Sequence, residues 1–291
     1  MHVCVTGAAG HLARALLPEL CAVSWVEGVI GVDRVSPVFQ HPKFRPVVSD
    51  IAGPEALAAA GRADALVHLA YIVLRGRTSR DEMRRINVVA AQAIIGAAAA
   101  GRVVVLSSAA VYGSGEGVTE QAPLAPLPGF LYAEHKAELE RWIAMHGVRA
   151  AVLRPHIILG PHALPLLRQL AAMPVYPRVP DPQPRLQCIH ETDVARAILA
   201  ALRSNAVGAF NLAWPEPFAW RSLVRSSHRR TLGVPLPWLR VALWLASRAG
   251  GWGGEPGWLA GAARSLTLDC TRARDELGWT ALRDPLDPVE G

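Results

Sequence analysis

Six short apolar runs, each followed by a helix-length stretch or a turn, constrain this chain more than any other feature. The runs lie at 3–6, 29–33, 45–48, 65–70, 103–107 and 150–154, with helical stretches near 11–22, 54–60, 81–100 and 131–146 between them. Tight two-residue turns would make neighbouring strands antiparallel, whereas a helical crossover returns the chain to the same end of the sheet and makes them parallel. Runs that are apolar at nearly every position belong to strands covered on both faces. The expectation over 1–155 is a doubly wound parallel α/β sheet of six strands.

After Pro155 the pattern breaks. Prolines at 161, 165, 174, 177, 180, 182 and 184 cut the segment 156–185 into pieces that cannot continue the alternation. Residues 186–189, 192–203 and 209–213 regain the strand, helix, strand texture, so 186–213 is expected to return to the sheet. The remainder, 214–291, would then join 156–185 in a smaller, discontinuous C-terminal substrate-binding lobe. Seven of the nine tryptophans fall between Trp214 and Trp279, which suits either a packed core or a hydrophobic substrate pocket.

The first run leads directly into Thr6-Gly7-Ala8-Ala9-Gly10-His11-Leu12-Ala13. Small residues here let the backbone approach a pyrophosphate, and the amides and positive dipole end of the following helix offset its charge. Asp33, 20 positions beyond Ala13 at the end of the second run, is placed to accept hydrogen bonds from the adenosine ribose hydroxyls. Its charge would repel a 2′-phosphate, with Arg34 softening the repulsion, so NAD is favoured over NADP. Asp50 and Ile51 follow the third strand, at the adenine edge.

Tyr132-Ala133-Glu134-His135-Lys136 lies on a predicted helix. Positions four apart share a face, so the phenol of Tyr132 and the ammonium of Lys136 can enter one site. A nearby cation is expected to pull the phenol below its usual value near 10 and make Tyr132 a general acid/base. Composition sharpens the point: of 30 basic residues only Lys43 and Lys136 are lysines, and a planar guanidinium does not replace a compact ammonium. Ser108, at the carboxyl end of the fifth strand where open α/β sheets place ligands, can reach a substrate oxygen.

Other chemistries are disfavoured. The formal charge of +6 comes from scattered arginines without a basic run, which argues against nucleic-acid binding. Four cysteines far apart read as reduced packing residues, and the histidines fall into no metal-ligand spacing. His190-Glu191 lacks a second histidine at 194, and no G-x-S-x-G elbow is present. The start of the chain shows no export signal, and the apolar segment 236–249 carries Arg240 and Arg248 and is too short to span a bilayer. A cytoplasmic protein without stable membrane insertion is expected.

Taken together, the residues resemble the extended short-chain dehydrogenase/reductases, the NAD-dependent epimerase/dehydratase group. The matches run from Thr6-Gly7-x-x-Gly10-x-x-Ala13 through Asp33, Asp50-Ile51, His68-Leu69-Ala70, Asn87, Ser107-Ser108, Val111-Tyr112-Gly113 and Tyr132-x-x-x-Lys136. They continue in Arg154-Pro155, Gly160-Pro161, His190 with Asp193-Val194-Ala195, Phe210-Asn211-Leu212 and Leu277-Gly278-Trp279. The resemblance implies a Rossmann-type fold, NAD held by Gly7, Gly10, His11, Leu12, Asp33, Asp50, Ile51, Leu69, Ala70, Asn87, Tyr132 and Lys136, and a Ser108, Tyr132, Lys136 catalytic triad. It also implies a homodimer formed through 81–100 and 131–146, acting on a small-molecule substrate.

The departures bear on which reaction follows. The family's dehydratases carry an Asp-Glu pair after the catalytic hydroxyl residue, where this chain has Ala109 and Ala110, and Ile157 and Leu159 replace polar residues common in nucleotide-sugar enzymes. The expectation is an NAD-dependent oxidoreductase/epimerase acting on a secondary alcohol or ketone by hydride transfer, most like a sugar epimerase. The alternatives are a dehydrogenase/reductase of a hydrophobic, steroid- or polyketide-like ketone and a non-catalytic nucleotide-binding sensor.

Overall fold

The structure is a computed structural model that describes residues 1–73, 78–98, 101–163, 174–179, 181–227, 230–239, 241–242 and 256–286. Its first half comprises β1 (His2–Thr6), α1 (His11–Ala22), β2 (Gly28–Asp33), β3 (Phe44–Val48), α2 (Pro54–Arg62), β4 (Ala65–His68), α3 (Arg80–Arg84), a π-helical segment (Arg85–Ala90), α4 (Ala91–Ala97) and β5 (Arg102–Leu106). A 3₁₀ turn (Ala109–Tyr112), β6 (Gly115–Val118), α5 (Leu131–Met145), β7 (Ala150–Pro155), β8 (Ile157–Leu159), β9 (Val175–Arg178), β10 (Cys188–His190), α6 (Glu191–Arg203) and β11 (Gly208–Leu212) follow. The chain continues through α7 (Trp220–Ser227), β12 (Leu232–Pro235), α8 (Pro256–Ala262), β13 (Leu266–Leu268) and α9 (Thr271–Leu277).

Seven strands form one parallel sheet in the order β11-β7-β5-β4-β1-β2-β3. This is the expected doubly wound Rossmann-type sheet, and its seventh strand, β11, comes from the segment 186–213; the run at 186–189 expected to return with it does not, because β10 pairs with β8 outside the sheet and Leu186 bridges to Phe218 and Leu266. The chain reverses its direction of travel across the sheet between β1 and β4, and the carboxyl ends of the strands open a crevice there. Helix α1 buries Ala13, Leu16, Leu17, Leu20 and Cys21, and α6 buries Val194, Ala197, Ile198, Ala201 and Leu202. Both are stripes at 3.6-residue spacing, and they pack together on one face with β1 and β7. Helices α2, α4 and α5 cover the other.

Two expected elements come out differently. The helix predicted over 81–100 is α3, the π segment and α4; residues 99–100 lie outside the described set. The π segment buries Asn87, whose carboxamide accepts from the Ile72 amide at 2.7 Å and donates to the Ile72 carbonyl at 3.0 Å. The strand predicted over 65–70 ends at His68, because the next two residues turn in over Thr6: Leu69 N–H reaches the Thr6 carbonyl (3.2 Å) and Ala70 N–H its hydroxyl (3.3 Å).

The later chain builds a small third core from Leu186, Ala213, Leu266 and Leu268 against Val111, Tyr112 and Ala137. Short parallel pairs knit it: β8 with β10, β9 with β12, and β13 with β6. Helix α9 and Trp279, expected in the lobe, pack instead into the main core through Ala273 and the Trp279 ring. The Trp279 indole N–H donates to the Asp193 carbonyl at 2.9 Å. The 236–249 segment, including Trp244, lies largely outside the described residues, although Trp238 is described and 69% exposed. Among the described residues no helix is long and apolar enough to cross a membrane.

Candidate active site

At the crevice the chain passes from β1 into α1 through Gly7, whose φ of +73° is one that residues with a side chain rarely adopt. A Cβ at Gly7 would sit 2.7 Å from the Ala70 amide nitrogen, so Gly7, Leu69 and Ala70 are pressed together and only glycine fits. The Gly7 carbonyl accepts from the Gly10 amide at 2.9 Å, closing the turn. Helix α1 then begins with no side-chain cap and no acidic residue in its first turn. The amides of its first turn, around His11 and Leu12, therefore remain donors for an anion. Ala13 is fully buried, which lets the helix lie close on the sheet. Asp33 closes the other side: its Oδ2 accepts from the Ala9 amide at 3.0 Å and its Oδ1 from Val35 at 3.2 Å.

The remaining cofactor candidates are placed less directly. Asp50 accepts from the Ala52 amide at 3.0 Å and stands 4.0 Å from Arg85, while Ile51 is buried in the core beneath α2. Both follow Ser49, whose amide bonds the Asp33 carbonyl at 2.9 Å. Asn87 spends its carboxamide on Ile72 and so shapes the loop after β4. His11 is pushed down by burial and by Arg14, with a hydrogen bond to the His162 backbone and Glu191 opposing.

The catalytic candidates meet at the end of β5. Ser108 caps the 3₁₀ turn, accepting from the Ala110 amide at 3.2 Å, and its hydroxyl is near enough to the Tyr132 phenol to act on its pKa. Lys136, one turn further along α5, is 3% exposed and donates to the Leu106 carbonyl. Beneath it, Glu140 accepts from Ser107 and from Arg154 on β7, a pair in which both side chains are only 6% exposed. Arg154 also donates to the Tyr112 hydroxyl, which in turn donates to Asn211 at 2.7 Å. This buried network fastens α5 to β7 and β11.

The electrostatics depart from the expected lowering of Tyr132. Burial pushes the phenol up, and Ser108 opposes it. Burial likewise pushes Lys136 down to about 7, with Glu140 acting upward. The physical reason is an aromatic enclosure that spacing on one helix does not reveal. Tyr71 stands edge-on to Tyr132 at 5.4 Å, Trp258 lies 5.1 Å from it, and Phe130 fills the space between, 5.6 Å from Tyr132 and 4.9 Å from Trp258. Gly257 permits this contact, since a Cβ there would come 2.3 Å from the Phe130 ring. Sequence reasoning missed Tyr71 and Trp258. It also passed over Glu140, although Glu140 follows Lys136 by four positions on the same helix face.

In the lobe, a cavity of about 450 Å³ is lined by Tyr176, Arg178, Val179, Asp181, Gln183 and Arg221. The Arg221 Nε there is buried and has no hydrogen-bond partner among the described residues. No group of side chains suited to a metal ion occurs among the described residues.

The model of the NAD dependent epimerase/dehydratase family matches residues 3–213. The chain belongs to that family. It is an NAD-dependent enzyme of the extended short-chain dehydrogenase/reductase type, and the strand-to-helix turn with its uncapped amides and Asp33 fits the dinucleotide the family name carries. Among curated proteins it is similar to the uncharacterized protein Rv0501 of Mycobacterium tuberculosis, 26% identical over 305 residues that cover 95% of this chain and 79% of the relative. Among solved structures it resembles MoeE5 in complex with UDP-glucuronic acid and NAD (24% identity, TM-score 0.76, 98% of this chain and 95% of that one). It also resembles the UDP-glucuronic acid 4-epimerase of Bacillus cereus in complex with NAD (18% identity, TM-score 0.77, 100% and 96%). At these identities the two structures carry the fold.

Proposed function

We propose that this family member interconverts a secondary alcohol and its ketone with Ser108, Tyr132 and Lys136 as the catalytic set, most like a sugar epimerase. The observation that carries the reading is the placing of Tyr132 and the buried Lys136 one turn apart on the same face of α5, at the end of β5 where Ser108 acts to lower the phenol's pKa. NAD, held by the Gly7–Gly10 turn, Asp33, Leu69 and Ala70, would supply the nicotinamide ring that accepts or returns a hydride. Ser108 would donate a hydrogen bond to the substrate oxygen and so orient it. Tyr132 gives its proton to that oxygen, or takes the proton from it, and the Lys136 charge lowers the cost of the phenolate. The rings packed around Tyr132 shield it in part from water, which strengthens each of these interactions.

The lobe, drawn from 156–185 and from the part of 214–291 that precedes α9, would hold the rest of the substrate. Arg178 and Arg221 in its cavity suit an anionic group such as the diphosphate of a nucleotide sugar, and the two structural relatives above carry nucleotide-sugar names or ligands. A second reading, a dehydrogenase/reductase of a hydrophobic ketone, is favoured by the Trp258 and Phe130 wall over Tyr132 and by Ala109 and Ala110 after Ser108. Pairing of α3–α4 and α5 across a two-fold axis would make a homodimer, with exposed Val89 and Met145 in the contact. We take the enzyme to work in the cytoplasm.

Two measurements test this. Denaturing the purified protein and weighing the released nucleotide separates the readings: stoichiometric NAD supports the epimerase, whose cofactor is regenerated in place, and an empty site that binds NAD reversibly supports the dehydrogenase. Tyr132→Phe should then abolish turnover while leaving NAD binding intact, and a variant that still turns over would refute the catalytic assignment.

A further inference from the structure

Tyr71, in the turn after β4, touches both members of the helix pair from a different part of the chain. Its ring lies under Lys136, with Nζ 3.7 Å from the ring centroid. Its hydroxyl donates to the Tyr132 backbone carbonyl at 2.8 Å, in the first turn of α5. Asn87 holds the neighbouring Ile72 by both backbone groups, so the loop presenting Tyr71 is fixed from the π segment.

We propose that Tyr71 is a positioning residue of this site, its ring holding the buried Lys136 ammonium in its charged form and its hydroxyl anchoring the turn that carries Tyr132. The inference rests on the reading of Tyr132 and Lys136 as the acid/base pair. An ammonium taken out of water needs replacement interactions, and Lys136 has few. From β5 it meets the Leu106 carbonyl. From its own helix Glu140 acts on it, but that carboxylate is already engaged by Ser107 and by Arg154 of β7. From β4 it faces His68, which burial and the Lys136 charge push down to about 3 and which therefore stays neutral. The phenol of Tyr132 holds its proton. Among the described residues no carboxylate hydrogen-bonds Lys136 directly, so beside the Leu106 carbonyl the electron-rich face of Tyr71, 3.7 Å away, is the group in contact with the ammonium. A desolvated contact of this kind favours the cation. Only the charged form couples strongly to a phenolate or to ribose oxygens.

The composition makes the test clean, because Lys43 and Lys136 are the only lysines. In protein labelled with carbon-13 at lysine Cε, the shift of each lysine is followed against pH by NMR, with Lys43→Arg assigning the second signal. The Lys136 signal of the native protein is expected to titrate near neutrality. Tyr71→Leu should lower that midpoint by about one unit, and Tyr71→Phe, which keeps the ring, by less than about 0.3. Tyr71→Met replaces the leucine variant should that one fail to fold, with the Lys43 signal and the circular dichroism spectrum as checks on the fold. An unchanged or raised midpoint in the leucine or methionine variant overturns the proposal, as does a phenylalanine variant that shifts equally. Retained turnover in Tyr132→Phe would instead sink the acid/base reading without altering these titrations, so the two failures are distinguishable.

Discussion

Glu140→Gln removes the charge at the centre of the network beneath the site while keeping the shape of the side chain. The Glu140 carboxylate accepts from the Ser107 hydroxyl and from Nε and Nη2 of Arg154. A glutamine amide offers one oxygen to these donors and turns its NH₂ towards one of them. Arg154, 5% exposed, is left with the Tyr112 hydroxyl and a 3.4 Å contact to the Glu120 carbonyl. Breaking one side of a buried ion pair costs about 3–5 kcal/mol, because the surviving charge is neither solvated nor paired. With a urea slope of about 3 kcal/mol per molar, the unfolding midpoint should fall by about 1–1.7 M. Urea unfolding followed by circular dichroism and by tryptophan fluorescence reads this directly. The double variant Glu140→Gln, Arg154→Met should be more stable than Glu140→Gln alone, since it removes the stranded charge, and the Tyr112 hydroxyl keeps its bond to Asn211. A Glu140→Gln midpoint within about 0.3 M of the native one, or strictly additive effects in the double variant, would refute the reasoning.

Two further outcomes are expected. Gly7→Ala places a Cβ 2.7 Å from the Ala70 amide nitrogen at a φ of +73°, so the turn must shift and NAD affinity should fall by about tenfold or more in calorimetric titration, about 1.4 kcal/mol; unchanged affinity would show that the turn does not hold the cofactor. Burial pushes His156 down to about 4 and His68 to about 3 from 6.5. As pH falls below 6.5 the unfolded chain takes up protons that the folded chain refuses, so stability drops by about 1.4 kcal/mol per pH unit for each histidine until the folded values are reached. His156→Gln should make that acid-side slope shallower in urea melts between pH 6.5 and 4, and an unaltered slope would exclude His156 as a contributor.

The sheet was readable because parallel strands buried on both faces leave continuous apolar runs, as in Val3-Cys4-Val5 and Val103-Val104-Val105. The cofactor turn was readable because glycine is demanded by a positive φ and a close approach, both local properties. The π segment was not, since Arg85–Ala90 is set by Asn87 reaching across to Ile72, a contact no helical period encodes. Nor was the return of α9 to the main core: Ala273 and Trp279 pack against a sheet formed by residues far earlier in the chain, and composition ascribed the late tryptophans to a single lobe.

The candidate site divides along the same line. Four-residue spacing puts Tyr132 and Lys136 on one face of a helix, but the dielectric they meet depends on what covers that face. Tyr71 arrives from 61 positions away and Trp258 from the far end of the chain, and their rings turn an expected fall in the Tyr132 pKa into a rise. The consequence is chemical. A buried phenol that keeps its proton, beside a lysine close to its midpoint at neutral pH, is prepared to protonate a ketone oxygen; to accept a proton from an alcohol, it needs added positive charge nearby. In a cycle that oxidises and then reduces the same carbon, both states of Tyr132 must be reached in turn. On the proposed reading, interactions that hold Lys136 charged, Glu140 from its own helix and Tyr71 from the turn after β4, then decide how easily the phenol passes between them.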